Sequence, residues 1–132
     1  MRAVRIEHVA LWTDDLDRAQ RFYVEYFGAA AGAVYRNTAK GFESVFLTFT
    51  DGARLELMRT TTLAPVALAP GAQRMGLTHL AISVGSDELV DSLTVRLEAD
   101  GFAVLDGPRR TGDGYYESVV LDPDGNRVEI TA

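Results

Sequence analysis

The chain repeats itself, and this constrains its fold more than any other feature. Ile6-Glu7-His8-Val9-Ala10-Leu11 is matched 71 residues later by Leu77-Thr78-His79-Leu80-Ala81-Ile82. Asp51-Gly52-Ala53-Arg54-Leu55-Glu56-Leu57 is matched 73 residues later by Asp124-Gly125-Asn126-Arg127-Val128-Glu129-Ile130. Two blocks that recur in one order at nearly one offset point to a duplicated unit. The 132 residues leave room for one domain made of two small modules that share a core.

The segments between the blocks correspond as well. Val4 to Trp12 reads as a strand, rich in β-branched and apolar residues. Thr13, Asp14 and Asp15 offer N-caps for a helix with Leu16, Ala19, Phe22, Tyr23 and Phe27 inward, stopped by Gly28. A short strand is expected near Ala33 to Asn37. Glu43 to Thr50 and Arg54 to Arg59 read as strands joined by the Asp51-Gly52 turn. In the second half Leu77 to Val84 is a strand. Ser86 or Asp87 caps a helix with Leu89, Leu93 and Leu97 inward, closed by Gly101. Phe102 to Leu105, Tyr116 to Leu121 and Arg127 to Thr131 follow as strands, the last two joined by Asp122-Pro123-Asp124-Gly125, where Pro presets φ and Gly accepts a positive one. Each half therefore reads βαβββ. The first module spans 1–59, a linker with Pro65, Pro70, Gly71 and Gly76 spans 60–76, and the second module spans 77–132. That linker of 17 residues reaches at most ~60 Å, so the modules can pair within one chain or with those of a second chain.

Strand alternation then sorts the side chains. His8 shares a face with Ile6 and Ala10, opposite Val9 and Leu11. Glu56 shares a face with Arg54 and Met58, opposite Leu55 and Leu57. His79 and Glu129 repeat this, opposite Leu80, Ile82, Val128 and Ile130. One face of each half is apolar and suited to carry the helix. The other bears one His and one Glu. A carboxylate set among aliphatic residues is costly to bury unpaired, and a divalent cation resolves that cost. Taken singly, each of these residues reads as an ordinary core or surface side chain. The repeat changes this, because the only two histidines of the chain stand at equivalent positions. Two imidazoles and two carboxylates suit Zn, Ni, Co, Fe or Mn better than Ca or Mg. Open positions on such an ion are what Lewis-acid catalysis needs.

Composition removes competing classes. Thirteen basic residues against nineteen acidic give a net charge of −6, with no basic run to neutralise phosphates, so nucleic acid is not an expected partner. No apolar stretch reaches the ~18 residues of a membrane span. The first residues alternate like a strand and do not resemble a signal peptide. Cysteine is absent, which removes disulfides and thiolate chemistry together. A cytoplasmic protein is expected.

The paired βαβββ modules with His8, Glu56, His79 and Glu129 resemble the vicinal oxygen chelate proteins. These include glyoxalase I, bleomycin- and fosfomycin-resistance proteins, methylmalonyl-CoA epimerase and extradiol dioxygenases. Leu121-Asp122-Pro123-Asp124-Gly125-Asn126-Arg127-Val128-Glu129-Ile130 is similar to the last hairpin of that superfamily. His8 to Leu16 with Phe22-Tyr23 is similar to its first strand and helix. The resemblance covers essentially the whole chain. It implies an α+β fold in which two tandem βαβββ modules form a curved mixed sheet around a metal site.

The His-Glu-His-Glu set most resembles glyoxalase I. The resemblance implies a lyase or isomerase acting on the hemithioacetal of a 2-oxoaldehyde and a thiol, in a cytoplasmic homodimer whose divalent ion is Zn or Ni first, then Co, Mn or Fe. It implies His8, Glu56, His79 and Glu129 as metal ligands. Glu129 or Glu56 would carry the proton between adjacent carbons, with a metal-bound water as the fallback base. Trp12, Phe46, Met58 and Tyr116 are expected to line the substrate pocket. Two features depart from bacterial glyoxalase I: Trp12 stands where an Arg holds the glutathione carboxylate, and Thr60 stands where an Asn is typical. Arg54, Arg59, Arg109 and Arg110 are candidates to compensate. Another thiol, or another substrate with vicinal oxygens, stays open. So do an epimerase, an extradiol-type dioxygenase, and a binding protein of the bleomycin-resistance kind without turnover.

Overall fold

A computed structural model describes residues 3–65 and 68–132. Met1 and Arg2 of the expected first strand region, and Val66 and Ala67 of the expected linker, lie outside the described residues. The chain divides into two compact units, residues 1–65 and 66–132. No helix among the described residues is long and apolar enough to cross a membrane.

The first unit runs β1 (His8–Trp12), α1 (Leu16–Phe27), β2 (Ala30–Ala31), β3 (Tyr35–Asn37), β4 (Phe42–Thr48) and β5 (Arg54–Thr60). Its mixed sheet has the order β1-β5-β4-β2, with β3 also on β4. β1 and β5 are parallel and β4 and β5 antiparallel. β1 begins at His8 rather than at Val4. The amide of Arg54 donates to the carbonyl of Glu7 (3.0 Å), and before Arg54 the chain turns at Asp51-Gly52, so β5 offers no backbone to Val4–Ile6. The expected strand near Ala33 becomes β3, and β2 is an addition that the sequence did not suggest.

Helix α1 forms as its caps and spacing dictate. Asp15 is extended and its carboxylate accepts from the Arg18 amide (3.0 Å), which satisfies one of the free N–H groups of the first turn. Gly28 ends the helix at φ 68°, a conformation that costs a residue with a Cβ. Leu16, Ala19, Phe22 and Tyr23 are buried against Val45, Leu47, Leu55 and Leu57, which are also buried. Each of the Leu, Val and Phe side chains contributes roughly 1.5–3 kcal/mol on removal from water.

The second unit runs β6 (His79–Ser83), α2 (Asp87–Ala99), β7 (Val104–Arg110), β8 (Tyr116–Leu121) and β9 (Arg127–Thr131). The sheet order is β6-β9-β8-β7, with β6 and β9 parallel and the other pairs antiparallel. The α+β class and the duplicated plan are as expected, and each unit carries its own mixed sheet. β7 passes through Gly107-Pro108, beyond the end expected at Leu105. An edge strand tolerates Pro, and the pairing with β8 shifts register on both sides of Asp106.

Ser86 caps α2 by accepting from the Leu89 amide (3.2 Å). The inward face of α2 differs from the expected one. Val90, Thr94 and Leu97 are buried, while Leu89 is 51% exposed. Val90 and Thr94 are four apart and Thr94 and Leu97 three apart, so they form one stripe that Leu89 misses. The stripe includes a polar residue because the Thr94 hydroxyl is satisfied twice, by the Val90 carbonyl (2.6 Å) and the Ser118 hydroxyl (2.7 Å).

Candidate functional site

In the first unit, β1 and β5 set His8 beside Arg54, Ala10 beside Glu56 and Trp12 beside Met58. β4 sets Phe46 opposite Glu56 and Ser44 opposite Met58. Residues paired across neighbouring strands point to one side of the sheet, so His8, Trp12, Glu56, Met58 and Phe46 share the face that α1 does not cover. Across that face the Nε2 of His8 lies 3.6 Å from Oε1 of Glu56. The His8 ring stands edge-on to Phe46, with centroids 5.3 Å apart. Trp12 stands edge-on to Phe42 at 6.4 Å and is 47% exposed.

The second unit repeats the arrangement. His79 pairs with Arg127 and Ala81 with Glu129, and Nε2 of His79 lies 3.1 Å from Oε2 of Glu129. Both glutamates are mostly covered and both histidines more open. Side-chain exposures are 16% for Glu56 and 20% for Glu129, against 39% for His8 and 36% for His79. The two sheets thus each gather one imidazole and one carboxylate, as alternation in the sequence indicated.

The outer nitrogen of each imidazole is also engaged. Nδ1 of His8 lies 3.1 Å from Oε1 of Glu7, and Nδ1 of His79 lies 3.1 Å from the Thr78 hydroxyl. Arg54 grips the same Glu7 oxygen through Nη2 (2.5 Å) and Nε (3.2 Å). The Arg54 hydrogen bonds, followed by that of His8, hold the Glu7 carboxyl below its usual pKa of 4.5. Arg54 also lies 4.1 Å over the Phe46 ring, a cation–π contact.

Tyr116 is a correction. It was expected at the substrate pocket, but its hydroxyl donates to Asp91 of α2 and Arg110 lies over its ring at 5.1 Å. Tyr116 belongs with Ser118 and Val120 on the helix side of β8, because alternation puts Glu117 and Val119 on the side of Glu129. The Asp91 hydrogen bond pushes the Tyr116 phenol above its usual pKa. Glu117 is the residue that the sequence reading missed. Burial, then a hydrogen bond and charge repulsion from Glu129, raise its carboxyl above 4.5. The signal was present in the alternation of β8. Glu117 has Ser44 at the equivalent position of the first unit and so lies outside the repeated pattern.

The four arginines offered as contacts for a thiol's carboxylate all have partners. Arg54 holds Glu7. Arg59 donates to the carbonyl of Asp14 (3.1 Å). Arg109 pairs with Asp106 (2.9 Å) and Arg110 with Asp87 (2.7 Å).

Among the described residues, no group of three or more His, Asp or Glu forms a metal-ligating cluster. What each unit supplies is a pair. Two donors about 2.1 Å from one ion lie roughly 3.0 Å apart in octahedral and 3.4 Å apart in tetrahedral geometry. The N···O separations of 3.1 and 3.6 Å are near those edges, and neutral imidazole with carboxylate is a donor set that borderline divalent ions accept. The residues of each pair therefore fit a divalent metal.

Comparison with known proteins identifies the class. The sequence model of the Glyoxalase/Bleomycin resistance protein/Dioxygenase superfamily matches residues 5–130. The chain belongs to this superfamily. It is 30% identical to the uncharacterised protein YqjT of Bacillus subtilis, over 96% of this chain and 98% of that one. Its fold is similar to that of the trypanothione-dependent glyoxalase I of Leishmania major, with a TM-score of 0.76 and 22% identity over 98% of this chain and 86% of that one. It is also similar to a glyoxalase/bleomycin resistance protein/dioxygenase domain from Frankia sp. EAN1pec, with a TM-score of 0.80 and 22% identity over 98% and 92% of the two chains.

Proposed function

We propose that this chain is a metal-dependent lyase or isomerase of the glyoxalase I type, acting on the hemithioacetal of a 2-oxoaldehyde or on a related substrate with vicinal oxygens. The observation that supports this best is the recurrence of one His–Glu pair at the same register in two sheets, His8 with Glu56 and His79 with Glu129. Two ligands alone hold a divalent ion weakly, and stable sites use three or four. The proposed centre therefore takes both pairs, from one chain or from the two chains of a homodimer. Zn or Ni is the first expectation, with Co, Mn and Fe next. When bound, the ion supplies Lewis-acid polarisation of the substrate's two adjacent oxygens.

The chain's own groups do the rest. The carboxylate of Glu56 or Glu129 takes the proton from the carbon that bears the hydroxyl and the sulfur, and returns it to the neighbouring carbonyl carbon. One C–H bond breaks and another forms, while the hydroxyl proton passes to the other oxygen. No oxidant or reductant is consumed. General base catalysis of this kind is worth about 10²–10⁴ in rate. Trp12, Phe46 and Met58, on the face that carries His8 and Glu56, supply apolar wall for the substrate. All four candidate arginines already have partners, which favours a thiol other than glutathione.

Elemental analysis of the purified protein, followed by activity on methylglyoxal with several thiols, tests the reading. A stoichiometric divalent metal and thioester formation are expected. Absence of both overturns it, and iron with oxygen uptake selects a dioxygenase instead. His8→Ala should lower the metal content; unchanged stoichiometry rejects His8 as a ligand.

A further inference from the structure

The two histidines occupy equivalent positions, but their outer nitrogens meet different groups. Glu7 stands before His8, and Thr78 stands at the matching place before His79. A carboxylate only accepts a hydrogen bond, whereas a hydroxyl donates or accepts. Glu7 is itself held, since Arg54 donates twice to the same oxygen that faces His8. Arg127, the counterpart of Arg54, is used otherwise and donates to the carbonyl of Gly71 (3.0 and 3.3 Å). The inner nitrogens differ in the same sense. Nε2 of His79 is within hydrogen-bonding distance of Glu129 at 3.1 Å. Nε2 of His8 stands 3.6 Å from Glu56, beyond a hydrogen bond.

We infer that Glu7 and Arg54 are positioning residues that fix neutral His8 with its proton on Nδ1, so that its Nε2 lone pair is bare on the side of Glu56. The hydrogen bond at one imidazole nitrogen decides which nitrogen is left to bind a metal. A bare lone pair beside a carboxylate is repulsive until a cation joins them, so this half is prepared for an ion before one arrives. His79 lacks that constraint. The Thr78 hydroxyl can donate to Nδ1 while Nε2–H donates to Glu129, and binding must then move a proton. His8 is thus the pre-organised ligand of the proposed centre and His79 the adaptable one. This inference rests on the metal-binding reading above.

The experiment has two readouts. In the metal-free wild-type protein, ¹⁵N ring shifts should show His8 with its proton on Nδ1 above the pH at which it becomes neutral. Glu7→Ala should lose that preference, and Glu7→Gln, whose amide oxygen still accepts, should largely keep it. In metal titrations with Zn²⁺, Glu7→Ala should bind about 10–100-fold more weakly, Glu7→Gln should recover most of that loss, and Thr78→Ala should stay within about threefold of wild type. A wild-type His8 protonated on Nε2, or Glu7→Ala binding Zn²⁺ as tightly as wild type, overturns the inference. A wild-type protein that binds no metal overturns the functional reading and with it the ligand role of His8, and the tautomer of His8 then decides whether Glu7 and Arg54 position its ring.

Discussion

His8 and His79 sit at the same register of equivalent parallel strand pairs, and Glu56 and Glu129 likewise. Around this constant pair and its shared strand plan, the two units differ in much of what packs on either side. The helix side of the first unit is aromatic, with Phe22 packed on Tyr23 and Phe27 at 4.9 and 5.8 Å between ring centroids. In the second unit the buried part of that side is aliphatic, with Val90, Leu97, Val120, Val128 and Ile130, and carries the Thr94–Ser118 hydroxyl pair. On the open side, Phe46 borders Glu56 where Val119 borders Glu129. Ser44 stands in the first unit where Glu117 stands in the second. The difference shows what the duplication preserves. Strand register keeps the His and Glu of each pair on one face of its sheet, while the N···O distance, 3.6 Å in the first unit and 3.1 Å in the second, follows the groups around the pair.

The largest expected effect tests whether the two halves are chemically equal. Glu56→Gln and Glu129→Gln should each weaken metal retention or lower turnover of a methylglyoxal–thiol adduct, the variant that removes the base by about 10²–10⁴. Steady-state kinetics alongside metal analysis separate loss of the base from loss of the ion. A variant that keeps wild-type kcat removes its glutamate from proton transfer and breaks the symmetry of the pair.

A smaller effect concerns the hydroxyl pair that only the second unit has. Thr94→Val leaves the buried Ser118 hydroxyl without its partner and should cost about 1–3 kcal/mol, read from the denaturation midpoint at unchanged slope. No change would mean that Ser118 finds another acceptor and that the polar stripe of α2 is incidental to stability.

The smallest effect is a pH dependence confined to the second unit. The Glu117 carboxyl is raised above 4.5 in the folded chain, so the native state binds more protons than the unfolded chain as pH rises through and above that value. Stability contributed at this position is therefore present at low pH and falls as pH rises through the folded value. Glu117→Gln in the metal-free protein should flatten that slope, while Ser44→Ala at the equivalent place should leave it unchanged. Equal slopes for wild type and Glu117→Gln would show that neither burial nor Glu129 raises the Glu117 carboxyl.

Much of this was legible in the amino-acid order. The repeated His and Glu, the caps Asp15 and Ser86, the stop at Gly28 and the hairpin closed by Gly125 are local signals, each set by a few neighbouring residues. Asp122 shows how local such a signal is. Its carboxylate accepts from the amides of Asp124 (3.0 Å) and Asn126 (2.8 Å) and so closes the turn its own sequence announces. Alternation with period two then placed both His–Glu pairs on the side away from the helices, because a half-buried strand must send its apolar residues one way.

What alternation did not supply is what lies across the chain from a given residue. The alternation of β8 puts Tyr116 on the helix side, but that its hydroxyl meets Asp91, 25 residues earlier on α2, is not in that alternation. Leu89 is inward by spacing, but the helix is turned so that Val90, Thr94 and Leu97 meet the sheet, with Thr94 against Ser118 of β8. The roles of Glu7 and Arg54 arise from contacts across 47 residues of sequence, which only strand pairing creates. Periodicity follows from backbone geometry within one element and can be read from the order alone. Partnership between side chains depends on register and on the rotation of packed elements, which the energy of the assembled core selects.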